Sequence, residues 1–203
     1  PPPPVDDAPS AFTGARLVLV APSAMPAGLS LPVVVLLRRS DDSPLWLNGT
    51  VQSTNYPSAN LRLLRGYGSA LVPGSATAGA THIDARVAGL SANRTVTFET
   101  NHWTGRSGAL GGSEDWGPHA RVSITGSLTV PSGAELRIGA GSIVALGPDV
   151  ELIVNGGRVT IDGRVSDPVV FLPLTNSQPW GGIRLTTTAG SRLAGTGLIL
   201  TGG

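Results

Sequence analysis

The sequence predicts an all-β protein: an N-terminal immunoglobulin-like (Ig-like) β-sandwich followed by a short right-handed parallel β-helix. Three observations predict it. No segment of the 203 residues repeats its apolar positions with a helical period. From Gly126 to Pro173 short apolar strands follow one another at steps of about eight residues, with glycine at almost every corner. Ahead of that staircase, about seven short strands separated by turn residues fill roughly 85 residues, the density a sandwich produces.

Residues 1–13 open with Pro1-Pro-Pro-Pro4 and read as a proline-rich linker, extended and stiff. They have neither the positive n-region nor the apolar h-region of a signal peptide, so the expectation is a removed leader or a longer parent chain.

Residues 14–100 are assigned to the sandwich. Its strands run over Arg16 to Ala21, Leu31 to Leu37, Leu45 to Gln52, Asn60 to Leu64, Ser69 to Val72, Thr81 to Val87 and Arg94 to Glu99. The clearest alternation puts Ile83, Ala85 and Val87 inward and His82, Asp84 and Arg86 outward. Pro22, Pro26, Pro44, Pro57 and Pro73 fall between strands, where a missing N–H does no harm to a ladder.

Residues 101–120, glycine- and serine-rich, are assigned as connector and cap, because the first turn of a coil must be covered.

Residues 121–203 are assigned to the coils. If three steps make a turn of about 24 residues, Leu128 stacks under Leu152, Val130 under Val154, Leu136 under Val159 and Ile138 under Ile161, filling the interior with aliphatic side chains. Glu135 then lies beside Arg158 on the outer face, an exposed pair worth about 0–1 kcal/mol. The last strands, around Leu198-Ile-Leu200, carry no polar cap. The expectation is that the natural chain continues or that another subunit stacks there.

The run from Gly126-Ser-Leu-Thr-Val-Pro-Ser-Gly to Ser142-Ile-Val144, with Val154-Asn-Gly156, Pro168-Val-Val-Phe171 and Trp180-Gly-Gly-Ile183, resembles the β-helical segment of large secreted bacterial proteins that carry lamin-tail or CotH-type spore-coat domains. The resemblance covers roughly residues 116 to 203 and implies a fold, not a chemistry. Leu61-Arg-Leu-Leu-Arg-Gly-Tyr-Gly-Ser-Ala70 resembles a strand-turn element of bacterial Ig-like repeats.

Charge and composition exclude several classes. Fourteen arginines and 13 acidic residues leave a net charge of +1, and Arg38-Arg39 is the only adjacent basic pair, so no basic patch addresses nucleic acid. There is no cysteine, hence no disulfide and no thiolate metal site. The most apolar run, Leu29 to Leu37, is broken by Pro32 and far shorter than the ~20 residues a bilayer requires, so no membrane insertion is expected. The lack of cysteine fits a reducing cytosol or a bacterial exterior, low charge with abundant Gly, Ser and Thr favours the exterior, and the resemblance implies a secreted or cell-surface bacterial protein.

Candidate sites are few. Trp103, Trp116 and Trp180 are either packing aromatics or platforms for a polysaccharide. His102, Glu114, Asp115 and His119 share one loop and could hold a metal ion, or be a turn with solvated charges. Asp149, Glu151, Asp162 and Asp167 have no stacked carboxylate partner of the kind glycosidic catalysis uses, so no catalytic residue and no cofactor is expected.

The favoured reading is a non-enzymatic structural module that self-associates or joins further domains of its own polypeptide, stacking into a fibre through Val33, Val34 and the edge Leu198, Ile199 and Leu200. The alternatives are a carbohydrate-binding module and a fragment of a larger β-helix enzyme.

Overall fold

The computed structural model describes residues 12–56, 61–100, 102–176, 178–186 and 190–202. The expected linker therefore lies, except for Phe12 and Thr13, outside the described residues. The protein is all-β, with a curled sheet of parallel strands in its C-terminal half.

The N-terminal half contains β1 (Arg16–Val20), β2 (Ala24–Pro26), β3 (Leu31–Arg38), β4 (Gly49–Thr50), β5 (Arg62–Leu63), β6 (Tyr67–Val72), β7 (Gly79–Val87) and β8 (Leu90–Glu99). β1, β3 and β6 form one antiparallel sheet, and β2, β8 and β7 a second. β2, not anticipated because it ends at Pro26, pairs in parallel with β8 at Thr97 to Glu99. The expected alternation holds on β7, where Ile83, Ala85 and Val87 are buried between exposed or half-buried neighbours. Of the long strand expected over Leu45 to Gln52 only Gly49–Thr50 is regular, and Leu45 is instead fully buried in the core.

The C-terminal half contains β9 (Thr104–Ala109), β10 (Glu114–Trp116), β11 (Arg121–Pro131), β12 (Glu135–Gly139), β13 (Ile143–Leu146), β14 (Glu151–Asn155), β15 (Arg158–Asp162), β16 (Val169–Pro173), β17 (Gly182–Leu185), β18 (Arg192–Thr196) and β19 (Leu198–Leu200). Every pairing among them is parallel, in three ladders. The first runs β9, the start of β11, β13, β16, β19; the second runs the end of β9, the end of β11, β14, β17; the third runs β10, β12, β15, β18. β11 serves two ladders because it continues around a corner at Thr125 to Ser127, and β9 follows it there with a register shift.

The expected stacking is present residue for residue: Leu128 on Leu152, Val130 on Val154, Leu136 on Val159 and Ile138 on Ile161. All eight are at most 1% exposed. The step does not stay constant. Leu152 to Ile183 is a longer step than Leu128 to Leu152, with residues 163–168 and 178–181 among those that lengthen its corners. Tight corners depend on glycine where backbones touch: a Cβ at Gly157 would sit 2.5 Å from the Pro131 carbonyl oxygen and 2.8 Å from that of Val130.

The three ladders are buried differently. In the second and third, β12, β14 and β15 alternate buried and accessible residues, as a strand with one wet face must. In the first, β13 and β16 are buried at every position. Val144, Leu146, Val169 and Phe171 point into the coil, whereas Ile143, Ala145, Val170 and Leu172 belong to the same apolar cluster as the N-terminal core. The two halves are thus joined by a shared layer rather than by a linker alone.

Polar contacts frame that junction. Arg121, whose side chain is only 10% exposed, donates to the carbonyl oxygens of His119 (3.1 Å), Ala120 (3.2 Å), Gly141 (2.8 Å) and Ala24 (3.4 Å), and to Glu99 Oε2 at 3.3 Å. Burial lowers its pKa, with Glu99 and Asp167 acting in the opposite sense. Asp167 accepts from Ser23 Oγ at 2.7 Å, and Arg94 donates to the Ser166 carbonyl.

Candidate assembly site

Inward columns of the coil that are sealed in the middle turns open at the outermost strands. Val130 and Val154 are fully buried, but Leu185, next in their column, is 45% exposed. Val144 and Phe171 are fully buried, but Leu200, next in theirs, is 52% exposed. Ile183, Leu193 and Leu198 are half-buried over fully buried Leu152, Val159 and Val169. At these positions the apolar filling of the coil meets water. Covering a side chain such as Leu200 completely is worth roughly 1 kcal/mol, about half of a full leucine burial.

The opposite end is closed. Arg106 occupies the register position of inward Ile124, and Glu114 and Trp116 those of inward Leu136 and Ile138. Arg106 Nε donates to Glu114 Oε2 at 3.0 Å, and Trp116 Nε1 donates to the same oxygen at 2.9 Å. The ion pair spans from one ladder to another, with the buried indole and buried Leu110 beside it. The Trp116 N–H holds the Glu114 carboxyl below the usual carboxylate range; burial, the next-largest effect, opposes it, and the Arg106 guanidinium adds to the lowering.

A groove of about 470 Å³ flanks the open end. One wall is the outward face of β3 and β6, with Val34, Leu36, Tyr67 and Leu71; the other is β19 with Val165 and Pro168. Tyr67, Leu71, Val165 and Leu200, all on this groove, are four of the six large apolar side chains that are exposed among the described residues. β19 is the outermost strand of its ladder.

The anticipated site residues disperse. Leu198, Ile199 and Leu200 lie at the open end, with Ile199 outward in the column of Ile143 and Val170. Val33 and Val34 both line the groove, Val34 half-buried on its wall and Val33, 3% exposed, also packed in the N-terminal core. Neither Trp116 nor Trp180 offers an open ring. Trp180 enters the coil from the 174–181 corner, stacks on Phe171 at 6.1 Å between ring centres, and donates from Nε1 to the Thr201 carbonyl at 2.8 Å. Trp103 is half-buried against the N-terminal core.

The loop of His102, Glu114, Asp115 and His119 does not converge. Glu114 is engaged by Arg106 and Trp116, His119 faces Asp167 at 3.5 Å, and His102 and Asp115 are exposed. No group of three possible ligands forms among the described residues. The acidic residues of the outer faces are matched with arginine instead: Glu135 with Arg158 at 3.8 Å, Asp162 with Arg137 at 3.0 Å and Glu151 with Arg184 at 2.9 Å.

Arg106 and Leu71 were not singled out from the sequence, Tyr67 reads there only as the aromatic tip of a turn, and Leu185 only as part of the uncapped last strands. Arg106 had a signal, since it stands in a short extended run before the staircase; nothing local marks the groove role of Tyr67 and Leu71, which depends on where the two halves meet. Comparisons with protein-family models, with curated proteins and with solved structures find no match.

Proposed function

We propose that this chain is a non-enzymatic structural and assembly module of a secreted or cell-surface bacterial protein, an Ig-like sandwich joined to the start of a right-handed parallel β-helix. Its open turn takes up further β structure, from the same polypeptide or from a neighbour. The observation that carries the reading is the exposure of inward Leu185 and Leu200 directly above fully buried residues of the same columns. The outermost strands also present ladder groups to whatever extends them, which is the chemistry of strand addition. The resemblance of residues 126–183 to β-helical segments of large secreted bacterial proteins supports the same reading. Stacking into a fibre requires the open turn of one copy to meet the Arg106–Glu114 end of the next.

The test is sedimentation velocity over a wide concentration range, electron microscopy, and hydrophobic-dye binding, each on the chain and on a Leu185→Lys/Leu200→Lys variant. Association or dye binding that the double variant removes supports the reading, and filaments support its fibre form. A chain that stays monomeric and binds no dye overturns it.

A further inference from the structure

We infer that the groove between β6 and β19 is the seat of one more parallel strand, and that this strand carries an unbroken run of apolar residues rather than an alternating one. The inference rests on the assembly reading above and names the partner that the open turn accepts. Along the first ladder, outward Ile143, Val170 and Ile199 form a column facing the N-terminal half, and inward Val144, Phe171 and Leu200 form one facing the coil. The groove is the next position of that column, so it continues an interface the molecule already has.

A strand laid in parallel against the free edge of β19 places its inward side chains over Leu200 and its outward ones against Tyr67 and Leu71. Outward polar side chains on this ladder need partners of the kind Arg121 of β11 finds in Glu99 and nearby carbonyl oxygens; the mostly apolar groove offers no such set, and the two strands nearest β19, Ile143–Leu146 and Val169–Pro173, are apolar throughout. A second folded copy has no such strand to offer. Among the described residues the longer apolar runs, Leu31 to Leu37 of β3, β13 and β16, are already buried or half-buried in their own sheets, and the three-residue β19 is itself the edge to be extended.

The experiment uses the full chain and two fluorescent peptides with charged flanks, one carrying Val-Val-Phe-Leu and one carrying Val-Thr-Phe-Thr, read by anisotropy. The expected result is binding of the first at least about tenfold tighter than the second. Tyr67→Lys and Leu200→Lys should each weaken it by a similar factor, while Leu64→Lys, exposed but off the groove, should leave it unchanged. Circular dichroism of the variants confirms that they are folded. Equal binding of the two peptides, or binding insensitive to Tyr67→Lys, overturns the inference. So does absence of peptide binding by a chain whose association or dye binding still depends on Leu185 and Leu200, an outcome that leaves the assembly reading standing. Dimers that Tyr67→Lys dissociates and the peptide does not would assign the groove to a second copy and overturn it too.

Discussion

The two ends of the coil have the same backbone and opposite chemistry. At β9 and β10 the inward positions hold Arg106, Glu114 and Trp116, which satisfy one another. At β17 to β19 the inward positions hold Leu185, Leu193 and Leu200, of which Leu193 shares the column of Glu114, and all three rest on apolar neighbours alone. A coil has no intrinsic end, so side chains on the terminal turns decide whether it stops or accepts another strand. Here one end is closed by polar side chains and the other leaves apolar side chains in water.

The largest break in that contrast comes from the interior. Phe171→Ala removes a fully buried ring that also supports Trp180, and should cost about 3–5 kcal/mol in denaturant unfolding; Leu200→Ala, in the same column, should cost about 1 kcal/mol. Equal costs would mean that the outer turn is as well sealed as the middle. Arg121→Ala comes next, at about 2–4 kcal/mol, because it leaves the carbonyl oxygens of half-buried Ala24 and buried Gly141, and Glu99, without their shared donor. Its unfolding should split into two transitions by calorimetry if Arg121 couples the halves. Gly157→Ala should cost about 1–3 kcal/mol by forcing two corner strands apart.

At the closed end the effect is smaller and depends on pH. Glu114 has its pKa lowered in the folded state, so the stability it contributes is present above the unfolded value of about 4.3 and lost as pH falls through the folded value. Glu114→Gln should cost about 1 kcal/mol at neutral pH, given that the pair is partly exposed, and should flatten the acid limb of the melting profile. An unchanged acid limb would remove Glu114 from the lid. Smallest of all, Glu135→Ala on the wet outer face should change stability by no more than about 0.5 kcal/mol.

How much could be read in advance differs in the same way along the chain. The stacking of Leu128 on Leu152 or Leu136 on Val159 was legible because like residues recur at a fixed step and alternation marks the inward ones. The burial of Ile143 and Val170 on both faces also had a sequence signature, the unbroken runs Ile143–Leu146 and Val169–Pro173, but a run of that kind does not say what covers its second face. Trp180 reads as a packing aromatic sooner than as a platform, but its place inside the coil, stacked on Phe171 and bonded to the Thr201 carbonyl, is set by a corner whose path no local pattern gives. The lid was the least legible part. Arg106 and Glu114 are opposite charges eight positions apart on different ladders, a relation that exists only after the coil has wound.

The layer formed by Ile143, Ala145, Val170 and Leu172 also has a mechanical meaning. Tension applied to whatever grips β19 runs along this ladder into the N-terminal sheets by shear across a broad apolar contact, instead of peeling a single loop. The N-terminal half then behaves as the anchor and the parallel-stranded half as the arm, so severing the chain near Thr100 would produce two sticky fragments rather than two smaller proteins.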